Sequence, residues 1–188
     1  MKSNEGSTFN KVEPYIRPEL SLKDEIKLLT FNLQPNHFHL QIKQKTPNAM
    51  TKLLRRVCTR YSNYFNRRYN RVGRLFQGVY RAIQLLKPID ILYVNYYIHL
   101  NDWFERDEDK RLFLKKGFNL NKVISSAENP YSSLPYYLGK AQSDWIKPQE
   151  ILNLLKKMPN PCFSYQDFLK TRLLRDFDEV LAGKVLED

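Results

Sequence analysis

A chain of 188 residues that is 42% hydrophobic and 13% aromatic can bury the core of one domain, with or without an appendage, and is too aromatic to be a disordered chain. No apolar run is long enough for a bilayer, the polar start has no signal-peptide core, and Cys58 and Cys162 are too few and too far apart for a disulfide framework or zinc knuckle, so the cytosol is the expected compartment. The formal charge of +11 is concentrated: Ile26 to Ile89 holds 13 Lys or Arg and no Asp or Glu, leaving 18 basic and all 20 acidic residues elsewhere, and so one-signed a field points to a polyanion, most simply nucleic acid.

In chain order, residues 1–25 carry Gly, Ser, Asn and two prolines without clear periodicity and read as a tail, with a short turn near Ser21–Glu25. Ile26–Leu33 reads as a mostly buried strand, Gln34-Pro35-Asn36 as a turn, and His37 to Lys43 as the returning strand of a hairpin. Side chains alternate faces along a strand, which puts His37, His39 and Gln41 on one face and Phe38, Leu40 and Ile42 on the other, with Phe38 directed into the core. Two imidazoles side by side are arranged to bind one metal ion.

Thr46-Pro47 reads as a helix start, and the helix runs to about Tyr69. Met50, Leu53, Leu54, Val57, Tyr61, Tyr64 and Phe65 recur at steps of three and four as a buried stripe, with Lys52, Arg56, Arg60, Asn63 and Arg67 opposite. Arg67, Arg68, Arg71 and Arg74 crowd a turn closed by Gly73, and a strand is expected over Val79–Leu85, carrying Arg81. Pro88 opens a helix to about Asn101 that is apolar on nearly every side and must be buried; Tyr93, Tyr97 and Asn101 share a face, while Tyr96 and His99 point elsewhere. Beyond a charge run at Glu105–Lys110, a turn at Asn129–Ser133, a helix over Pro148–Lys157 and at least one more within Tyr165–Leu186 make residues 106–188 a mostly helical extension with no visible chemistry.

Four linked motifs carry a resemblance. Gln34-Pro35-Asn36-His37-Phe38-His39-Leu40, Tyr64-Phe65-Asn66-Arg67-Arg68-Tyr69, Gly73-Arg74-Leu75-Phe76-Gln77-Gly78 and Tyr97-Ile98-His99-Leu100-Asn101 occur in the order found in single-tyrosine HUH transposases, and the chain most resembles the REP-associated tyrosine transposases. Tyr131-Ser132-Ser133 and Tyr136-Tyr137-Leu138-Gly139 fit the C-terminal region of that family. The resemblance implies an α+β fold, a ferredoxin-like antiparallel sheet flanked by helices, with 26–105 as the catalytic domain. It implies cleavage and rejoining of single-stranded hairpin DNA with Mg²⁺ or Mn²⁺ and a covalent 5′-phosphotyrosine. Carried over by motif, Tyr97 is the nucleophile and His37, His39 and Asn101 are the metal ligands. Lys52, Arg56, Arg60, Arg67, Arg68, Arg71, Arg74 and Arg81 are the expected DNA contacts. Tyr93 is the rival nucleophile, and His99 is expected to be structural.

The sequence departs from the family at Val79, Tyr96 and Asp102, where Arg or Lys, Arg, and Pro are usual. The family also has a strand and a helix before the histidine hairpin, and nothing in residues 1–25 reads as that central strand. The chain is therefore expected to be N-terminally truncated, with an exposed sheet edge. A DNA-binding relative that no longer cuts, or a remnant of a transposase gene, is the alternative reading.

Overall fold

The hairpin forms as the sequence demands, and described elements from later in the chain pack onto it. The computed structural model describes residues 21–101, 120–125, 129–159, 164–170 and 185–186; the tail over 1–20, the charge run at 105–110 and part of the C-terminal extension lie outside them. Strands β1 (Ile26–Leu33) and β2 (Phe38–Gln44) pair antiparallel, with Leu33 opposite Phe38, Asn32 opposite His39 and Thr30 opposite Gln41, and the register shifts between Leu28 and Thr30. His37 sits at the end of the turn rather than inside β2, and its carbonyl accepts the Gln34 N–H at 2.9 Å. Residues opposite one another share a face, so Thr30, Asn32, His39 and Gln41 form a single polar surface on the hairpin.

Helix α1 (Ala49–Arg68) begins later than Thr46-Pro47 suggests. Asn48 takes the N-cap position in the left-handed region, which asparagine tolerates, while the Thr46 hydroxyl donates to the Glu25 carboxylate. The expected buried stripe is not realised: Ala49 and Leu54 are buried, Met50, Leu53 and Phe65 are half-buried, and Val57, Tyr61 and Tyr64 face solvent. Burial on α1 is confined to Ala49 and Leu54 in its first two turns, and from beyond the helix Tyr61 meets the Phe76 ring at 6.1 Å.

The chain then turns through Gly73 and Gly78, both at positive φ, where a side chain would be strained. Of the strand expected over Val79–Leu85 only β3 (Ala82–Ile83) forms, pairing antiparallel with β4 (Val185–Leu186). Helix α2 (Pro88–Leu100) opens on proline and is enclosed on nearly all sides. One side presents Leu92, Tyr96 and Leu100, and another presents Tyr93, Val94 and Ile98 to Ile83 and Leu85.

The first of those sides is covered by α3 (Leu120–Ser125), α4 (Leu134–Tyr137), α5 (Pro148–Lys156) and α6 (Tyr165–Lys170), or by residues beside them. Leu134, Tyr137, Ile151, Leu155, Tyr165, Phe168 and Leu169 join Leu29, Leu92, Tyr96 and Leu100 in one core, each large apolar side chain contributing roughly 1.5–3 kcal/mol on burial. The same segment lines the outer edge of β1. Leu33 N–H donates to Tyr131 O (2.8 Å), Ser133 N–H to Phe31 O (2.9 Å), Lys147 N–H to Leu28 O (2.9 Å) and the Tyr137 hydroxyl to Leu29 O (2.7 Å). The bare edge expected of an incomplete sheet is therefore absent from β1, because Tyr131–Ser133 and Ile146–Lys147 take up its backbone groups. No described helix is long and apolar enough to cross a membrane.

Candidate active site

The site grows from the turn that starts β2. His37 Nδ1 lies 2.7 Å from Asn36 Oδ1; a protonated Nδ1 donates to that amide oxygen, which leaves the lone pair on Nε2. His39, two residues on, is half-buried, and the two imidazoles meet edge to face with centroids 4.9 Å apart. Burial, and secondarily the neighbouring His37, holds the His39 pKa below its ordinary 6.5, so near neutral pH the ring is uncharged and able to donate a lone pair. The Tyr97 ring stands edge-on to His39 with centroids 6.0 Å apart. The structure thus brings His37, His39 and Tyr97 together.

Polar clamps hold α2 in this position. Asn32 Nδ2 donates to Ile98 O (2.9 Å), satisfying a carbonyl in the last turn of α2, and Gln41 Nε2 donates to Ile91 O (2.8 Å). Between them Asn95 Nδ2 reaches Gln41 Oε1 (3.3 Å), Tyr137 Oη (3.1 Å) and Thr30 Oγ1. Tyr97, half-buried, is the ring that α2 turns toward the histidines, whereas Tyr93 is buried one turn earlier in the apolar cluster with Val94 and Ile98. Asn101 follows Tyr97 by four residues, is buried, and forms the C-cap of α2.

His99 lies behind the site, as expected of a structural histidine. The Tyr165 hydroxyl donates to Asn95 Oδ1, so its oxygen accepts from His99 Nδ1–H, and His99 Nε2 accepts from the Ser133 hydroxyl at 2.7 Å. Burial lowers the His99 pKa to about 3 and raises that of Tyr137 to about 12, so both side chains are neutral members of the network. Composition gave no hint that Thr30, Asn95, Ser133 and Tyr165 form this buried lattice. Apart from Gln41, which Thr30 meets across the hairpin 11 residues on, their partners lie 34 to 107 residues away in sequence, and pairing over such distances leaves no local signal.

The expected DNA contacts fall into three groups. Lys52 is tied to Glu25 (2.8 Å), and Arg56 lies close enough to that carboxylate to help hold its pKa down. Arg60, Arg67 and Arg68, with Asn63 and Tyr64, line an open groove of about 710 Å³ on the outer face of α1. Arg71 lies over the Phe65 ring (5.6 Å), and Arg74 and Arg81 are exposed on the connection to α2. The Gly73–Gly78 motif also acts through packing, since Phe76 meets Phe38 edge to face at 6.0 Å on the side of β2 opposite the histidines. Phe38 therefore rests on Phe76 rather than entering the main core.

Against this geometry, the sequence model of the IS200-like transposases matches residues 5–101, a span that contains the hairpin, α1, and α2 with Tyr97. The chain belongs to the IS200-like transposase family. No curated protein and no solved structure matches it. Membership makes it a transposase-type, DNA-processing protein and names DNA as its partner.

Whether the site suits the ion implied by its family can be judged from its donors. Among the described residues no three His, Cys, Asp or Glu cluster, so these residue types do not form a closed, tetrahedral centre there. The donors brought together here are two imidazoles, His37 within hydrogen-bond distance of Asn36, while Asn101 lies one helical turn from Tyr97 as the buried C-cap of α2. Such donors fit Mn²⁺ or Mg²⁺ with coordination positions left for oxygens of another molecule.

Proposed function

We propose that this IS200-like transposase, of the REP-associated tyrosine type, cuts and rejoins single-stranded hairpin DNA through a covalent 5′-phosphotyrosine on Tyr97. The observation that carries this reading is the 6.0 Å edge-on approach of the Tyr97 and His39 rings, with His37 beside them. His37, His39 and Asn101 are the residues that would hold Mg²⁺ or Mn²⁺. Bound there, the ion supplies Lewis-acid polarisation of the scissile phosphate.

The protein's own residues supply the rest. A phenol with an ordinary pKa near 10 is a weak nucleophile at pH 7, so the clamps from Asn32 and Gln41 on α2 matter by holding Tyr97 for in-line attack. Tyr97 Oη bonds to phosphorus, the bond from phosphorus to the 3′ oxygen breaks, and the phenolic proton ends on the released 3′-hydroxyl. The phosphotyrosine keeps the ester, so a second 3′-hydroxyl can reverse the step on a new strand without ATP. Arg60, Arg67, Arg68, Arg71, Arg74 and Arg81 neutralise the flanking phosphates. A DNA substrate places the protein in the cytoplasm with the nucleoid.

The test is incubation with a labelled single-stranded hairpin and Mn²⁺, followed by denaturing electrophoresis. A protein–DNA adduct is expected, lost with a strong chelator and lost in Tyr97→Phe. An adduct that persists under either condition overturns the assignment.

A further inference from the structure

The polyanion surface on α1 has a second chemical character that its charge does not explain. Tyr64 and Tyr69 leave 62% and 60% of their surface in solvent, and Tyr61 leaves 48%. Amphipathic spacing placed Tyr61 and Tyr64 in the core, yet both are exposed. They are not scattered. Ring centroids step from Tyr61 to Tyr64 (6.4 Å) and to Phe65 (6.1 Å), and from Phe65 to Tyr69 (4.4 Å), so the aromatic surface is continuous along the last turns of the helix. Cations flank it on the same helix: Arg60 lies one turn before Tyr64, Arg67 and Arg68 one turn after, and these four with Asn63 line the groove. The Arg68 guanidinium lies 6.0 Å from the Tyr69 ring centre.

We propose that the groove on α1 is a stacking track for the unpaired bases of a single DNA strand, with Tyr64 as the ring within the groove, Tyr69 at the helix C-cap as the next exposed ring along the aromatic run, and Arg60, Arg67 and Arg68 holding phosphates. A duplex offers its phosphates to any basic surface but keeps its base faces inside the stack; only an unpaired strand has π-faces to give to exposed tyrosines. An acidic protein partner satisfies the arginines but gives no reason for the rings. With no Asp or Glu from Ile26 to Ile89, nothing within that segment competes with phosphate for those cations. Stacking accepts every base, so this track holds strand without reading sequence, which leaves site choice to contacts elsewhere. The proposal deepens the reading above, and rests on it only for the polyanion being DNA.

The experiment measures binding of the full chain to a fluorescent oligothymidylate and to a duplex of equal length across a salt series, alongside the adduct assay. Wild type is expected to prefer the single strand. Tyr64→Ala and Tyr69→Ala should each weaken single-strand binding about 10-fold, leave duplex binding unchanged and leave the salt slope unchanged. Arg67→Gln should instead flatten that slope by about 0.7 and weaken both ligands. Tyr64→Leu, which keeps apolar bulk on the helix but lacks a ring, should behave like the alanine variant. Equal loss on duplex and single strand, wild-type binding by the tyrosine variants, or a self-association that those variants abolish would overturn the stacking track. An adduct with unaltered tyrosine variants sinks the track alone. Tyrosine-dependent single-strand binding without any adduct leaves the track standing and removes the catalytic reading.

Discussion

The His39 imidazole and the Tyr97 ring meet edge-on, 6.0 Å between centroids, although 58 residues of chain separate them. Only one other tyrosine on the same helical face competes for the nucleophile's role, and Tyr93 is buried in an apolar cluster one turn away. Tyr97→Phe removes one oxygen from a half-buried ring and should shift unfolding free energy by less than about 1 kcal/mol while abolishing the DNA adduct. Tyr93→Phe should keep the adduct. Gel analysis of both variants beside thermal unfolding separates the two expectations.

His99 makes stability depend on acidity. Its pKa is about 3 in the fold against 6.5 when exposed, because burial penalises the charged ring. Between those values the unfolded chain binds the proton and the folded one does not, so stability falls as pH falls from about 6.5 toward 3. At pH 5 the loss from this group is about 2 kcal/mol. Urea unfolding at pH 7 and pH 5 should show that loss in wild type, and a folded His99→Gln variant should lack this part of it. An unchanged pH response in the variant refutes the assignment.

These two predictions differ in how far the sequence reached them. The hairpin, α2 and the grouping of His37, His39 and Tyr97 were legible because strand alternation, proline at a helix start and linked motifs are local signals. The face of α1 was misread since periodicity reports which residues share a side, and says nothing of whether another element packs over it. Tyr61 and Tyr64 look like core by spacing and are surface by coverage. The edge of β1 was illegible for the converse reason: its partners, Tyr131–Ser133 and Lys147, lie about a hundred residues on in a segment with no strand pattern.

Tyr137 tests that edge directly. Its hydroxyl donates to Leu29 O at 2.7 Å and lies 3.1 Å from Asn95 Nδ2, both in buried surroundings. Tyr137→Phe keeps the ring in the core but leaves the Leu29 carbonyl without this donor, an expected cost of about 1–3 kcal/mol. Denaturant unfolding gives the number, and hydrogen exchange should show faster opening along β1. A variant as stable as wild type would mean that water or another donor takes up the carbonyl.

Asn32 separates stability from positioning. It is fully buried opposite His39, its Nδ2 donates to Ile98 O beside Tyr97, and its Oδ1 has no hydrogen-bond partner among the described residues. Asn32→Leu, close in volume, leaves the Ile98 carbonyl without this donor but also removes a buried, unpartnered oxygen. Each change is worth about 1–3 kcal/mol and they oppose one another, so net stability should move by less than about 1 kcal/mol. Activity should not be spared. Without the amide, the last turn of α2 loses its hydrogen bond to β1, the strand paired with the one that carries His39, and an ångström of slack at a reacting centre costs up to about 100-fold in rate. Single-turnover adduct formation at saturating Mn²⁺ should therefore slow at least about 10-fold in a variant that unfolds like wild type. A rate equal to wild type would show that packing alone positions Tyr97.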